Sequence, residues 1–413
     1  MRILIANWTR RRVGGAETYL GRVMPLLAAR RHILAYAFET DEPADRTPVA
    51  LPEGCVPLAL TGDAAFDRIR AWAPDVVYVH GLLNPDLERR LLESAPAVLF
   101  AHAYYGTCIS GRKTHLLPFV QPCDRVFGPA CLALFYPRRC GGLSPLTMVR
   151  DYARQKARNA LLPQYAAVMT HSEHMSREFT RHGAAGGRVR HSTYLRSDAE
   201  VVAVPSRLLA ARRDGDPWHL VFVGRMDRLK GGAYLLDALP ETHAAIRRPL
   251  RVTFAGDGPA RGSWQRRAGD VAAANPEISV EFAGWLQRPE VVALLDTADL
   301  LVVPSVWPEP YGLVGPEAGR RGVPAVAFDT GGIKEWLVDG VNGCLAPGRR
   351  PAAAGLGDAL IRCLRSLSSS DALRFSALSR VKDEDDNRHV DALLTILEDA
   401  ASRRLGAAPG AAS

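Results

Sequence analysis

Ten apolar runs of strand length, five in each half of the chain, limit the available folds more than any other feature. The first five are residues 2–7 (RILIAN), 32–39 (HILAYAFE), 75–81 (DVVYVHG), 97–104 (AVLFAHAY) and 166–172 (AAVMTHS). The second five are 219–224 (HLVFVG), 250–256 (LRVTFAG), 278–284 (ISVEFAG), 299–305 (DLLVVPS) and 323–329 (VPAVAFD). They are nearly continuous in apolar residues, as strands buried on both faces are, and helical patterns such as 16–30 (AETYLGRVMPLLAAR) lie between several of them. Buried strands joined by crossover helices make a parallel sheet covered on both sides. The expected fold class is therefore α/β, with two Rossmann-like doubly wound domains facing each other across a cleft. Pro25 is expected to bend the first helix.

A chain of 413 residues is too long for one ordinary core, which agrees with two domains. The polar stretch 209–218 (LAARRDGDPW), with Gly and Pro just before a fresh strand, reads as the linker. The expected boundaries are 1–208, 209–385, a closing helix over 386–402 and a disordered tail over 403–413. That helix is amphipathic over 387–400 (NRHVDALLTILEDA) and needs a surface to pack on.

The formal charge of +8 favours anionic partners, including nucleotides, phosphates and the inner membrane face. No RNA-binding aromatic motif or zinc-finger spacing supports nucleic acid as a partner. No apolar run approaches the roughly 20 residues that span a bilayer, and the apolar start is too short for a signal-peptide core. The expected location is cytoplasmic, including the inner membrane face. Four of the seven cysteines, Cys108, Cys123, Cys131 and Cys140, crowd one segment at separations of 15, 8 and 9. They lack the CxxC spacing of ordinary zinc sites, so reduced thiols are the simplest reading and no metal is expected.

Ligands of open parallel sheets collect at the carboxyl ends of the strands, and the unusual residues fall there. Arg225 and Lys230 follow Gly224 on one loop, where two cations could hold a diphosphate; a solvated basic loop is the plainer alternative. Gly256 and Gly258 give a turn that a nucleotide could approach, or a plain tight turn. The stretch 302–324 (VVPSVWPEPYGLVGPEAGRRGVP) sets Glu309 before a helix start and Glu317 inside the helix, with the amides of Tyr311, Gly312, Leu313 and Val314 between. Carboxylates at either end and amides in the middle suit a nucleoside-diphosphate sugar: polyhydroxyl sugar, diphosphate, ribose diol. The same spacing argues against a glycosidase. Eight helical steps span about 12 Å, and catalytic carboxyls of a retaining hydrolase must come within about 5.5 Å. Surface and helix-dipole roles remain open for the two acids.

In the first half Gly14 and Gly15 stand directly before a helix, without the GxGxxG spacing of a dinucleotide fingerprint. His80 and His102 each follow an apolar strand, where a histidine can bond a substrate hydroxyl or merely satisfy a carbonyl. His80, Tyr104 and Tyr105 are placed on the acceptor side.

Taken together, GGAETYL, VVYVHG, LFAHAY, VFVGRMDRLKGG, FAGDGPA and the long stretch 299–347 resemble the family 4 retaining glycosyltransferases of the GT-B fold. The resemblance implies that Arg225 and Lys230 bind the donor diphosphate, Glu309 the donor-sugar hydroxyls and Glu317 the ribose. It implies that the amides of Tyr311 to Val314 lie near the sugar and phosphate, that His102 lies near the transferred sugar, and that Gly14 and Gly15 form a loop over the donor. It implies a closing helix that returns to the first domain, and no required cofactor beyond a nucleotide-diphosphate sugar as substrate. UDP-sugars come first and GDP-mannose second. The acceptor would be a lipid-linked glycan, a polysaccharide or a small metabolite, with peripheral membrane association among the expected partners. A sugar-nucleotide epimerase and a non-catalytic nucleotide-sugar-binding protein are the rival functions. Two departures stand out: the Arg320–Arg321 pair after Glu317, and the Cys-rich insertion 104–150, a candidate for shaping the acceptor site.

Overall fold

The computed structural model describes residues 1–184, 186–192, 215–380 and 386–405. Most of the expected linker and tail, and the expected boundaries near 208 and 385, lie outside these residues. The chain forms two compact units: 1–112, 125–196 and 384–413 in one, 113–124 and 197–383 in the other.

The strands of the first half are β1 (Arg2–Thr9), β2 (Ile33–Thr40), β3 (Val56–Ala59), β4 (Val76–Val79) and β5 (Ala97–Phe100). After them come the short pair β6 (Thr114–His115) and β7 (Gln121–Pro122), then β8 (Ala167–Thr170) and β9 (Val189–His191). The first unit's sheet has the order β3-β2-β1-β4-β5-β8-β9, and its neighbouring strands pair in parallel. β4, β5 and β8 are buried along their whole length, which is why they read as unbroken apolar runs. The helix Gly15–Ala29 does contain Pro25.

The closing helix Asp386–Leu405 supplies Val390, Leu393, Leu397 and Ala400 to the first unit's core, at the three-and-four spacing of one helical face. Each large side chain so buried contributes at most about 1.5–3 kcal/mol. That helix therefore belongs to the unit farthest from it in sequence.

The second unit's strands are β10 (Trp218–Val223), β11 (Leu250–Ala255), β12 (Ile278–Gly284), β13 (Leu300–Val303), β14 (Ala325–Phe328) and β15 (Gly343–Ala346). They pair in parallel in the order β12-β11-β10-β13-β14-β15. Trp218, assigned to the linker from sequence, is instead the first residue of β10 and is buried in the core.

The Cys-rich insertion is divided. Residues 113–124 cluster with the second unit, where Val120 packs on the core and Phe119 lies under Arg350, 5.4 Å from ring centroid to guanidinium. Its remaining residues cluster with the first unit. All seven cysteines are free thiols.

Both sheets are doubly wound, so each has a switch point where strand order reverses and the neighbouring loops part. In the first unit it lies between β1 and β4, in the second between β10 and β13. The loops leaving those four strands carry most of the chemistry below.

Candidate functional site

In the second unit, the loop after β10 is a tight, internally bonded structure. Asp227 Oδ1 accepts from the amides of Leu229 at 2.8 Å and Lys230 at 3.1 Å, closing one turn of 3-10 helix over Arg228–Lys230. Gly231 follows at φ +73°, and a Cβ there would stand 1.8 Å from the carbonyl oxygen of Pro304. Only glycine permits this left-handed turn so close to the loop after β13. The amide of Val306 donates to Leu229 O at 2.8 Å, joining the two loops on either side of the switch point.

That junction brings Lys230 to Glu309. The ammonium donates to Glu309 Oε1 at 2.6 Å, and Nζ lies 5.5 Å from the centre of the Trp307 ring. The Glu309 side chain is 6% exposed and that of Lys230 29%, so the carboxylate is nearly enclosed and the cation reaches solvent. The Glu309 carbonyl accepts from the Gly332 amide at 2.7 Å, which fixes the backbone carrying the carboxylate. Trp336 Nε1 donates to Tyr311 O at 2.7 Å and pins the next two residues.

The remaining second-unit candidates divide by surroundings. The Arg225 side chain is 71% exposed, with Asp227 3.8 Å away. Gly312 has φ +87° and turns the chain into the helix Val314–Gly319, whose six residues carry Glu317, half-buried, in the first turn. Leu313 and Val314 are partly exposed at its start, while Tyr311 is buried. Gly224, Gly256 and Gly258 have a structural explanation: a Cβ on Gly256 would meet Gly224 O at 2.0 Å, and one on Gly258 would meet Met226 O at 2.5 Å. At Gly256 and Gly258 that space is taken by the neighbouring loop, whereas Gly224 is set apart by its φ of +155°. Arg321, one of the two unexpected arginines, forms a two-pronged pair with Asp296.

In the first unit the loops after β4, β5 and β8 hold a neutral network. His80 follows β4, His102 lies just past β5 and His171 follows β8, three strands adjacent in the sheet. His102 Nε2 is 2.8 Å from His80 Nδ1, and His102 Nδ1 is 3.1 Å from His171 Nε2. Both ring nitrogens of His102 are thus engaged by other histidines. Burial lowers His80 and His171 well below the usual histidine range and lowers His102 to about 3. At neutral pH all three rings are uncharged, and one N–H per ring is enough to run the two bonds in a single direction. Beside them Tyr19 Oη is 2.9 Å from Tyr78 Oη and 3.0 Å from His389 Nε2 on the closing helix.

Sequence reasoning missed His171, Tyr19 and His389. His171 stands one residue past an apolar strand, as His80 does, and that repeated placement was the available signal. His389 needed the knowledge that the closing helix packs on this sheet.

Gly14 and Gly15 are exposed at the start of the helix Gly15–Ala29, where the Gly14 amide donates to the buried Glu17 Oε2 at 2.8 Å. Tyr104 is fully buried, whereas Tyr105 is 50% exposed, with Arg158 5.3 Å from its ring centre. The structure thus gathers Lys230 and Glu309 at one switch point, and His80 and His102 at the carboxyl ends of the first sheet. No cluster of three or more His, Cys, Asp or Glu that could hold a metal ion occurs among the described residues.

Comparison with known proteins places these features in context. Residues 217–366 match the family model "Glycosyl transferases group 1". The chain is 29% identical over 281 residues to a glycogen synthase of Mycobacterium tuberculosis strain H37Rv, covering 66% of this chain and 56% of that protein. It spans about half the length of that relative. Among solved structures it is similar to Anabaena Alr3699/HepE in complex with UDP, with TM-score 0.65 and 17% identity over 96% of this chain and 100% of that one. It is also similar to sucrose-phosphate synthase (tll1590) from Thermosynechococcus elongatus, with TM-score 0.70 and 18% identity over 99% and 100%. With the two doubly wound parallel sheets, these likenesses establish the GT-B fold, and the second unit carries a glycosyl transferases group 1 domain.

Proposed function

We propose that this protein is a family 4 retaining glycosyltransferase that moves a sugar from a nucleotide-diphosphate sugar to an acceptor hydroxyl. UDP-sugars are the first choice of donor and GDP-mannose the second. The observation that carries the reading is the Lys230–Glu309 pair: a cation held 2.6 Å from an enclosed carboxylate at the switch point of the sheet, inside the segment matching the glycosyl transferases group 1 domain. The similarity to a chain solved with UDP supports the choice of donor class.

In this reading Lys230 meets the diphosphate and offsets the charge that grows on it as the sugar leaves. Glu309 holds the ammonium in place beforehand, so little side-chain freedom is lost when the donor binds. Its carboxylate also accepts from the sugar hydroxyls, while Arg225, already in solvent, closes on the phosphates and Glu317 takes the ribose diol. The bond from C1 to the phosphate oxygen breaks and a bond from C1 to the acceptor oxygen forms on the same face. The acceptor proton passes to the departing phosphate, so the step needs no separate base. Gly14, Gly15 and His102 enter through family resemblance alone. No resident cofactor or metal is part of the proposal. The acceptor is a lipid-linked glycan, a polysaccharide or a small metabolite.

The test is a panel of UDP-, GDP-, ADP- and dTDP-sugars, scored for binding and for nucleotide release with and without candidate acceptors. Acceptor-stimulated release with retained anomeric configuration is the expected result. Turnover without an acceptor would indicate the epimerase, and binding without any release a non-catalytic receptor. Failure to bind any nucleotide sugar would overturn the reading.

A further inference from the structure

The helix Pro145–Leu161 in the first unit is anchored at one end and bare at the other. Its buried face carries Gln155, Arg158 and Leu161. Gln155 Oε1 accepts from the Gly106 amide at 2.7 Å, and Arg158 donates to the carbonyls of Leu82 and Leu83. The first turns have no such attachment on their outer face. Leu146 is 83% exposed, Val149 58%, and Leu143, just before the helix, 69%. Single exposed leucines are ordinary, but three large apolar side chains exposed within seven residues at one helix start form a patch.

The charges around the patch indicate what covers it. Between Tyr136 and Lys156 the chain has five cationic side chains and one acidic one, Asp151. Arg139, Arg150 and Arg154 are exposed, and Arg150 and Arg154 lie four apart along the same outward stripe as Leu146. An apolar tip with a cationic collar is how a helix seats on a membrane: the leucines enter the acyl boundary and the arginines stay at the headgroups. A protein partner could cover the leucines, but the net positive collar selects an anionic surface.

We infer that the start of the helix Pro145–Leu161, with Leu143, Leu146 and Val149 at its tip and arginines around them, docks this protein reversibly onto a membrane rich in anionic lipid. The docking needs no donor and is independent of the sugar-transfer reading. A short apolar tip binds weakly alone, so the charges supply the second signal, at about fivefold in affinity per cation.

Sedimentation of the full chain with vesicles tests this. Binding to phosphatidylcholine vesicles containing about 30 mol% phosphatidylglycerol is expected, with little binding to phosphatidylcholine alone and release as salt rises. The double variant Leu146→Asp/Val149→Asp should lose vesicle binding, and Arg150→Glu/Arg154→Glu should weaken it at least about tenfold. Both should keep the wild-type melting temperature, since these side chains are exposed. Absence of binding to the anionic vesicles overturns the inference, as does equal binding by the variants. So does a wild-type dimer in sedimentation velocity that the apolar double variant dissociates without any change in vesicle binding.

Discussion

The two units place their chemistry at the carboxyl ends of two similar sheets, on different sets of strands, and use opposite electrostatics. In the second unit a full cation meets a full anion, Lys230 and Glu309, on loops either side of the switch point. In the first unit three histidines stand after β4, β5 and β8, and burial holds them neutral. An ion pair with one solvent-facing end suits exchange with an incoming anion. A neutral relay suits holding side chains in fixed orientation. If the proposed diphosphate role of Lys230 holds, the second unit should respond to anionic ligand, while the linked histidines make the first unit's stability fall with falling pH.

The largest expected effect falls on the ion pair. Lys230→Ala should lower turnover by about 10²–10³, the scale for removing one preorganised stabiliser of developing charge. It also leaves Glu309 enclosed without its cation, at a cost of about 1–3 kcal/mol in stability because the lysine is partly exposed. Adding Glu309→Gln should restore much of that stability and none of the turnover. Melting curves and donor kinetics on the single and double variants separate the two effects. Wild-type rates in Lys230→Ala would remove the diphosphate role.

Next comes the scaffold of the same site. Gly231→Ala drives a methyl into the Pro304 carbonyl in a left-handed turn and should cost about 3 kcal/mol. Hydrogen exchange should then show loosening in β10 and β13 before β4 and β5. Uniform loosening of both units would mean that they do not differ in the way proposed here.

The neutral relay yields a pH prediction. The three histidines have folded-state values below the ordinary 6.5 or so, so the unfolded chain takes up protons first as pH falls. Their neutral burial costs nothing above about pH 6.5. Below it, stability declines toward the folded-state values, by up to about 1.4 kcal/mol per histidine per pH unit. Exchange protection in β4, β5 and β8 should therefore fall between pH 7 and 5 before that in β13 and β14, while β10 carries His219, which burial also lowers, and is no reference strand. A variant with Phe at 80 and 171 should show a shallower slope.

Much of this was legible beforehand. Ten strands and the closing amphipathic helix came from periodicity alone, because both-face burial leaves an unbroken apolar run. The strands β3, β9 and β15 did not: β3 and β9 are only partly buried and so lack an unbroken apolar run, while β15 opens on Gly343 and is no shorter than β4, β5 or β8. Lys230 and Glu309 were named separately, but their direct pairing follows from β10 and β13 being sheet neighbours, a fact of strand order. The histidine relay was half-seen for the same reason: His171 lies 69 residues beyond His102 and becomes its neighbour only when β8 pairs with β5. The glycines stayed open in the other direction. Gly256 and Gly258 read equally as a nucleotide approach or as a tight turn, and backbone contacts with an adjoining loop account for glycine at both.

The last point gives the smallest and sharpest test, because Gly14 is the converse case. Its φ of −158° is extended backbone open to any residue, and a Cβ there would meet only Glu17 Oε2 at an ordinary 3.7 Å. Alanine is a poorer helix cap than glycine by about 0.5–1 kcal/mol, and it loses less freedom on folding, by about 0.4–1 kcal/mol. The two nearly cancel, so Gly14→Ala should shift stability by no more than about 0.5 kcal/mol. Nothing in the fold then requires glycine at this position, in contrast to Gly231. If a donor passes over this loop, the added methyl should raise its KM several-fold while the melt stays put. Unchanged donor kinetics in Gly14→Ala would show that the loop after β1 does not touch the donor, and would leave donor recognition to the second unit's ion pair and its neighbours.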